Sequence, residues 1–339
     1  MDQTMNYTPR TDMFSVSQPE RRAIKKQYSE TFMVLIAEYF AITIIAMIIF
    51  HVMEEYGYVF RHNDAGQPIM DWQYSLAGSL PSIIMCILIF AVDRRIAKNP
   101  MSEYLRTDRM GGSFMPLMLA VCMVGYVVAM LIELGLIQGF ALFDMQPLSA
   151  DYDFDTDLTP AFLAQEVLTT IVLAPIAEEL MFRGVVLRRL CKVDQTFGIF
   201  MSALVFGLMH GNILQTVLGF TIGIVFAYAD IKAGSILPSI IGHMFLNGSA
   251  SLSSFVEYFF GEDVSSTVWV CMLALYFIIG LIVFLVLLFG KKIKFPENTE
   301  YHRRRALPIA MTCISFWIMI VVYIVDVISA CGPLVETAE

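Results

Sequence analysis

Three polar motifs interrupt otherwise apolar stretches of this chain: Glu178-Glu179-Leu180-Met181-Phe182-Arg183, Phe206-Gly207-Leu208-Met209-His210 and His243-Met244-Phe245-Leu246-Asn247. An ionisable side chain at the centre of a membrane helix costs roughly 2.5–3.5 kcal/mol, so such residues are functional candidates by default. On a helix, positions four apart share a face, so Glu179 can reach Arg183, Phe206 stacks under His210 and His243 stacks under Asn247. Glu178 points elsewhere. Paired with Arg183, Glu179 stays ionised, whereas Glu178 faces a desolvated interior, where a carboxylate holds its proton more tightly and suits a general base near neutrality.

Beside that carboxylate, His210 completes a pair able to hold and deprotonate a water molecule. His243 and Asn247 can donate hydrogen bonds to the oxygen of a tetrahedral intermediate. The chemistry implied is hydrolysis of a carbonyl compound. The sequence has no G-x-S-x-G, which weighs against a covalent serine mechanism. A catalytic zinc is the alternative, with Glu178, His210 and His243 as its three protein ligands. It is the weaker one, because there is no HExxH and the other histidines, His51, His62 and His302, fall in loops or at span ends. The metal-free glutamate mechanism is therefore favoured.

In this order and spacing the motifs resemble the CAAX protease and bacteriocin-processing (Abi) family of intramembrane proteases, whose pattern is EExxxR, FxxxH and HxxxN or HxxxD. The resemblance spans Glu178 to Asn247. It implies that Glu178 and His210 activate water and that His243 and Asn247 form the oxyanion site; Glu179 is placed with these as catalytic, and Arg183 and Phe206 as supporting residues. It further implies a peptide or lipidated protein as substrate and a bacterial plasma membrane as location. Eukaryotic relatives remove the last three residues of prenylated proteins; members have been described both as metal-dependent and as metal-free.

Each motif also has a plainer reading. The EExxxR charges can mark the end of a span and snorkel to water, His210 before Gly211-Asn212 can cap a helix, and His243 with Asn247 can join helices by hydrogen bonds. A proton- or ion-coupled transporter would use the same residue types, and an inactive scaffold would retain them. Glu133 and Asp326 lie near span ends. Glu38, within the first span, has no partner in the sequence.

Positioning these groups requires long helices. The 339 residues are 57% hydrophobic and 16% charged, with a mean hydropathy of +0.67, beyond what a soluble domain of this length needs for its core. Apolar runs approaching the roughly 20 residues of a membrane helix fall at 32–50, 75–92, 114–137, 161–182, 196–210, 213–229, 235–256, 267–289 and 307–330. The expected fold class is all-α, a polytopic transmembrane helix bundle of about nine spans. Nine crossings put every Lys/Arg cluster on one side, which by the positive-inside rule places the N-terminus inside. The net charge of −9 and the ordinary placement of those clusters leave nucleic-acid binding without support; membrane lipids are the surroundings. The six cysteines are scattered without CxxC spacing.

The chain then divides into a polar cytoplasmic arm over 1–31, three spans over 32–160, a catalytic helical core over 161–256, and two last spans over 257–339 joined by a basic linker at 291–306. Pro175 is expected to bend the fourth span just before Glu178. Gly219 and Gly223 form a small-xxx-small pair suited to close helix packing. Straight helices would put Glu178 about 25 Å below the outer surface, and His243 about 12 Å and His210 about 20 Å above the inner one. Bending, tilt or displaced helix starts must bring them level.

Overall fold

The computed structural model describes residues 18–63, 69–147, 155–290 and 306–333. It is nearly all-α, and its helices follow the expected apolar runs in order: α1 (Gln18–Glu55), α2 (Trp72–Ala97), α3 (Phe114–Ala141), α4 (Pro160–Cys191), α5 (Gln195–Leu208), α6 (Ile213–Ala233), α7 (Leu237–Phe260), α8 (Glu262–Phe289), α9 (Ala306–Met311) and α10 (Ile314–Ser329). Six of these, α1–α4, α6 and α8, are long and apolar enough to cross a membrane. These are six of the nine expected runs. With 14 and 16 residues, α5 and α10 fall short, and α7 is long enough but carries five serines besides His243 and Asn247. The most apolar window of α8 is only 11% buried within the protein. Its outer surface, with Val270, Ile278 and Ile282 exposed, has the composition of a lipid-facing wall.

Two boundaries differ from the sequence expectation in ways that matter. Residues 18–31, expected within a polar arm, are helical and continue into α1, because Tyr28, Thr31 and Phe32 turn inward and bury there. The fourth span, expected to end at residue 182, runs on to Cys191. Residues 1–17 of the arm, and the basic linker at 291–305, lie outside the described residues.

Two short ladders gather helix ends at one pole of the bundle. Ile69–Met70 pairs in parallel with Asp155–Thr156, and Met145–Pro147 pairs antiparallel with Cys331–Pro333. At the opposite pole Arg189 of α4 is paired with Asp93 of α2, and Arg188 lies 3.9 Å over the Tyr104 ring. Both feet of the α5–α6 hairpin stand at this basic pole. α5 begins after Lys192, and Gly234, which ends α6 with φ +64°, approaches Arg109. The hairpin is tightly closed: a Cβ added to Gly207 would lie 2.4 Å from the Thr216 carbonyl oxygen, and one on Gly219 would lie 2.8 Å from Gly207 Cα. Only hydrogen fits between these backbones, which is the close packing expected of small residues.

The difference in depth is resolved by where the helices begin and end. From Cys191 back to Glu178, and from Gln195 forward to His210, the rise is about 20 Å in each case. The start of α7 is recessed. Ile236 N–H donates to Tyr104 O at 2.9 Å, and Tyr104 packs against Phe90 beside Gly184, itself about 10 Å up α4 at the helical rise. Six further residues of α7 bring His243 level with Glu178.

Candidate active site

α4 is not a uniform α-helix. Val167–Leu173 and Phe182–Leu187 are wound as π-helix, flanking the α-helical turns of Ala174–Met181 that carry both glutamates. Wide turns of this kind re-aim side chains and recur at functional sites. The first has a cause in the sequence. In π register Ala174 N–H donates to Thr169 O, so the Thr170 carbonyl would next accept from residue 175, and proline has no N–H. That carbonyl is satisfied from α7 instead, by Asn247 Nδ2 at 2.8 Å. Pro175 thus acts by freeing an acceptor. Asn247→Ala should orphan it, lowering stability by about 1–3 kcal/mol; a lower melting temperature in detergent is the measurement, and an unchanged one would show the bond to be unimportant.

Glu179 and Arg183 form an ion pair at 3.1 Å, and both side chains are 0% exposed. Snorkelling is therefore not their role. The other oxygen of Glu179 meets His243 Nδ1 at 3.0 Å. A carboxylate oxygen accepts, so Nδ1 carries a proton and the ring is held with Nε2 turned to Glu178, 3.9 Å from Oε2. Glu178 Oε2 is buried without a hydrogen bond among the described residues. Arg183 is further held over the Phe206 ring, 4.7 Å from its centroid.

Phe206 links the second and third motifs. Its ring stands edge-to-face with His210 at 5.3 Å and with His243 at 5.6 Å. His210 lies in the turn between α5 and α6, its Nδ1 2.8 Å from Phe206 O. A carbonyl can only accept, so this nitrogen is the donor and Nε2 keeps a free lone pair. The turn is sharp: Gly211 has φ +70°, and a Cβ there would lie 2.7 Å from Asp326 Oδ2. Asn212 then opens α6, its side chain accepting from Gln215 N–H.

The structure thus gathers Glu178, Glu179, Arg183, Phe206, His210 and His243 around one buried region, with Asn247 one helical turn beyond His243 and bonded to α4. Two further residues, absent from the sequence reasoning, complete the network. Asp230, buried near the end of α6, accepts from Ser239 N–H at 3.0 Å and from its hydroxyl at 2.6 Å. It so satisfies a free donor in the first turn of α7, where Ile236 supplies no side-chain cap. Ser239 also lies against Glu179. Nothing in the sequence beyond a buried-helix Asp nine residues before a Ser flags this pair.

A three-ligand metal site does not fit these residues. Among the described residues no three His, Cys, Asp or Glu side chains converge as a metal-binding group. Of the remaining intramembrane acids, Glu133 Oε1 is buried without a hydrogen bond among the described residues, Asp326 abuts Gly211, and Glu38 lies in the core beside Tyr323.

Residues 160–249, from the start of α4 to the middle of α7, match the model of the Rce1-like family, described as type II CAAX prenyl endopeptidase Rce1-like. All three motifs lie within the match. No curated protein and no solved structure matched the chain.

Proposed function

We propose that the Rce1-like segment 160–249 makes this membrane protein an intramembrane endopeptidase, cleaving a peptide bond near the C-terminus of a lipidated or otherwise membrane-held substrate. The observation that carries this reading is the Glu178–His243–Glu179–Arg183 chain of contacts, buried at mid-height in the bundle. A structural ion pair needs only Glu179 and Arg183. A second carboxylate with a bare oxygen, facing an imidazole that Glu179 holds at its other nitrogen, serves chemistry instead.

In this reading a water molecule lies between Glu178 and the free Nε2 of His210. Glu178 takes one proton from it while the oxygen adds to the scissile carbonyl carbon. The carbonyl oxygen, now negative, lies toward His243, whose ring Glu179 holds at Nδ1. The second N–H of the Asn247 amide, whose first is bound to Thr170 O, is a donor to it. Collapse of the intermediate breaks the C–N bond, and the leaving amine takes the proton from Glu178. Atoms and charge balance without a cofactor. In this reading the basic pole lies at the cytoplasmic face of a bacterial plasma membrane, which the positive-inside rule supports for the orientation, the side from which a lipidated protein tail would arrive.

The test is incubation of the purified protein with a prenylated peptide and its unprenylated counterpart, each with and without chelator. Cleavage of at least one, undiminished by chelator, is the expected result. Absence of cleavage together with Glu178-dependent proton or ion flux in proteoliposomes would replace the peptidase by a transporter.

A further inference from the structure

We propose that the basic pole carries a binding site for the phosphate headgroup of an anionic phospholipid, in a cavity between α1, α2 and α4. The site is independent of the peptidase reading, and two of its three walls lie outside the matched segment 160–249. The cavity has a volume of about 590 Å³. Its cations are Lys26 of α1, Arg188 and Arg189 of α4, and Lys192 just beyond α4. Two carboxylates share the wall, and each is matched. Arg189 Nε–H donates to Asp93 at 2.9 Å, and Lys26 stands 3.9 Å from Glu30. Arg188 and Lys192 form no ion pair among the described residues. Four cations against two carboxylates leave an excess of two positive charges in the cavity.

Arg188 is built into this wall. Its guanidinium lies over the Tyr104 ring, which is buried, and its Nη2–H donates to the Glu103 carbonyl at 2.9 Å. The donors that remain keep the planar fork that suits a phosphate. Gln27 ties α1 to the same wall, its amide donating to the Arg189 carbonyl. Cations that only mark a cytoplasmic face need no such support. An apolar track leads away from the cavity and separates a lipid from a soluble phosphate. Ile96, which lines the cavity, is exposed, and so are Val92 and Leu88, four and eight residues earlier on the same face of α2. This stripe rises about 12 Å from the basic pole into the membrane, the course of an acyl chain whose headgroup sits among the cations. Basic pockets between membrane helices on the cytoplasmic side suit such headgroups.

Native mass spectrometry of the detergent-purified protein, titrated with dioleoyl phosphatidylglycerol, dioleoyl phosphatidylcholine or sodium phosphate, tests the site without any activity. The protein should retain phosphatidylglycerol in preference to phosphatidylcholine. The double variant Arg188→Gln/Lys192→Gln should bind it about tenfold more weakly or worse, at roughly a factor of five per cation. The control is Arg94→Gln/Arg95→Gln, which removes the same charge from the same end of the bundle outside the cavity lining and should leave binding nearly unchanged. Equal weakening in the two double variants would show diffuse attraction to a basic surface and overturn the site, as would undiminished binding in the first. Displacement of the lipid by equimolar sodium phosphate would make the occupant a soluble phosphate and overturn the lipid assignment. Should the first double variant not fold, Lys192→Gln decides alone, because Lys192 is exposed and outside every ion pair among the described residues. Its expected loss is about fivefold, and no loss would overturn the site.

Discussion

Glu178→Gln is expected to lower the rate of peptide cleavage by about 10²–10⁴-fold, the usual contribution of a positioned general base, while the fold persists. Glutamine keeps the size and shape of the side chain but cannot accept the proton of water. Little stability should be lost. Among the described residues Glu178 makes no ion pair shorter than its 3.9 Å approach to His243, and one of its oxygens has no hydrogen bond, so the substitution removes a largely buried carboxylate without orphaning a partner there. The pair of measurements is single-turnover cleavage and the melting temperature in detergent. Full activity in this variant would mean that another group deprotonates water and would end the proposed mechanism.

Arg183→Met should have the largest effect on stability, about 3–5 kcal/mol, because it strands Glu179 in the protein interior. Both partners are fully enclosed, which separates this pair from surface ion pairs of little worth. The guanidinium also leaves the face of Phe206, loosening the ring that contacts both histidines. Adding Glu179→Gln removes the uncompensated charge, so the double variant should recover most of the loss. Cleavage should not return with it, because His243 loses the carboxylate that sets its tautomer and aim. Thermal melting of the two single variants and the double gives the coupling; equal destabilisation in the single and double variants would show that the ion pair does not hold the site together.

Local spacing made much of the site legible. The contacts at four-residue spacing, Glu179 with Arg183 and Phe206 with His210, follow from helical geometry, and the structure has both. The apolar runs located the helices to within a few residues wherever the run was bounded by charges, as at α2 and α3. Boundaries failed where packing overrode composition. Polar residues 18–31 are helical because one face of them is buried, and α4 continues past its charges because Glu179 and Arg183 neutralise each other inside the bundle. An apolar run also does not reveal its helix length: α5 ends at Leu208 after 14 residues, and the chain turns back at His210.

The order and spacing of EExxxR, FxxxH and HxxxN, together with the hydropathy of the runs that carry them, by themselves determined the helical membrane class and the residues of the candidate site, since helix periodicity and the cost of buried charge act locally. Tertiary structure alone decided which atoms meet. The Thr170 carbonyl released by Pro175 finds Asn247, Glu179 turns His243 toward Glu178, Asp230 caps α7 from the preceding helix, and Glu38 enters the core from α1. These contacts depend on helix depth, tilt and register between segments far apart in the chain, set by the packing of the whole bundle rather than by any one stretch of sequence.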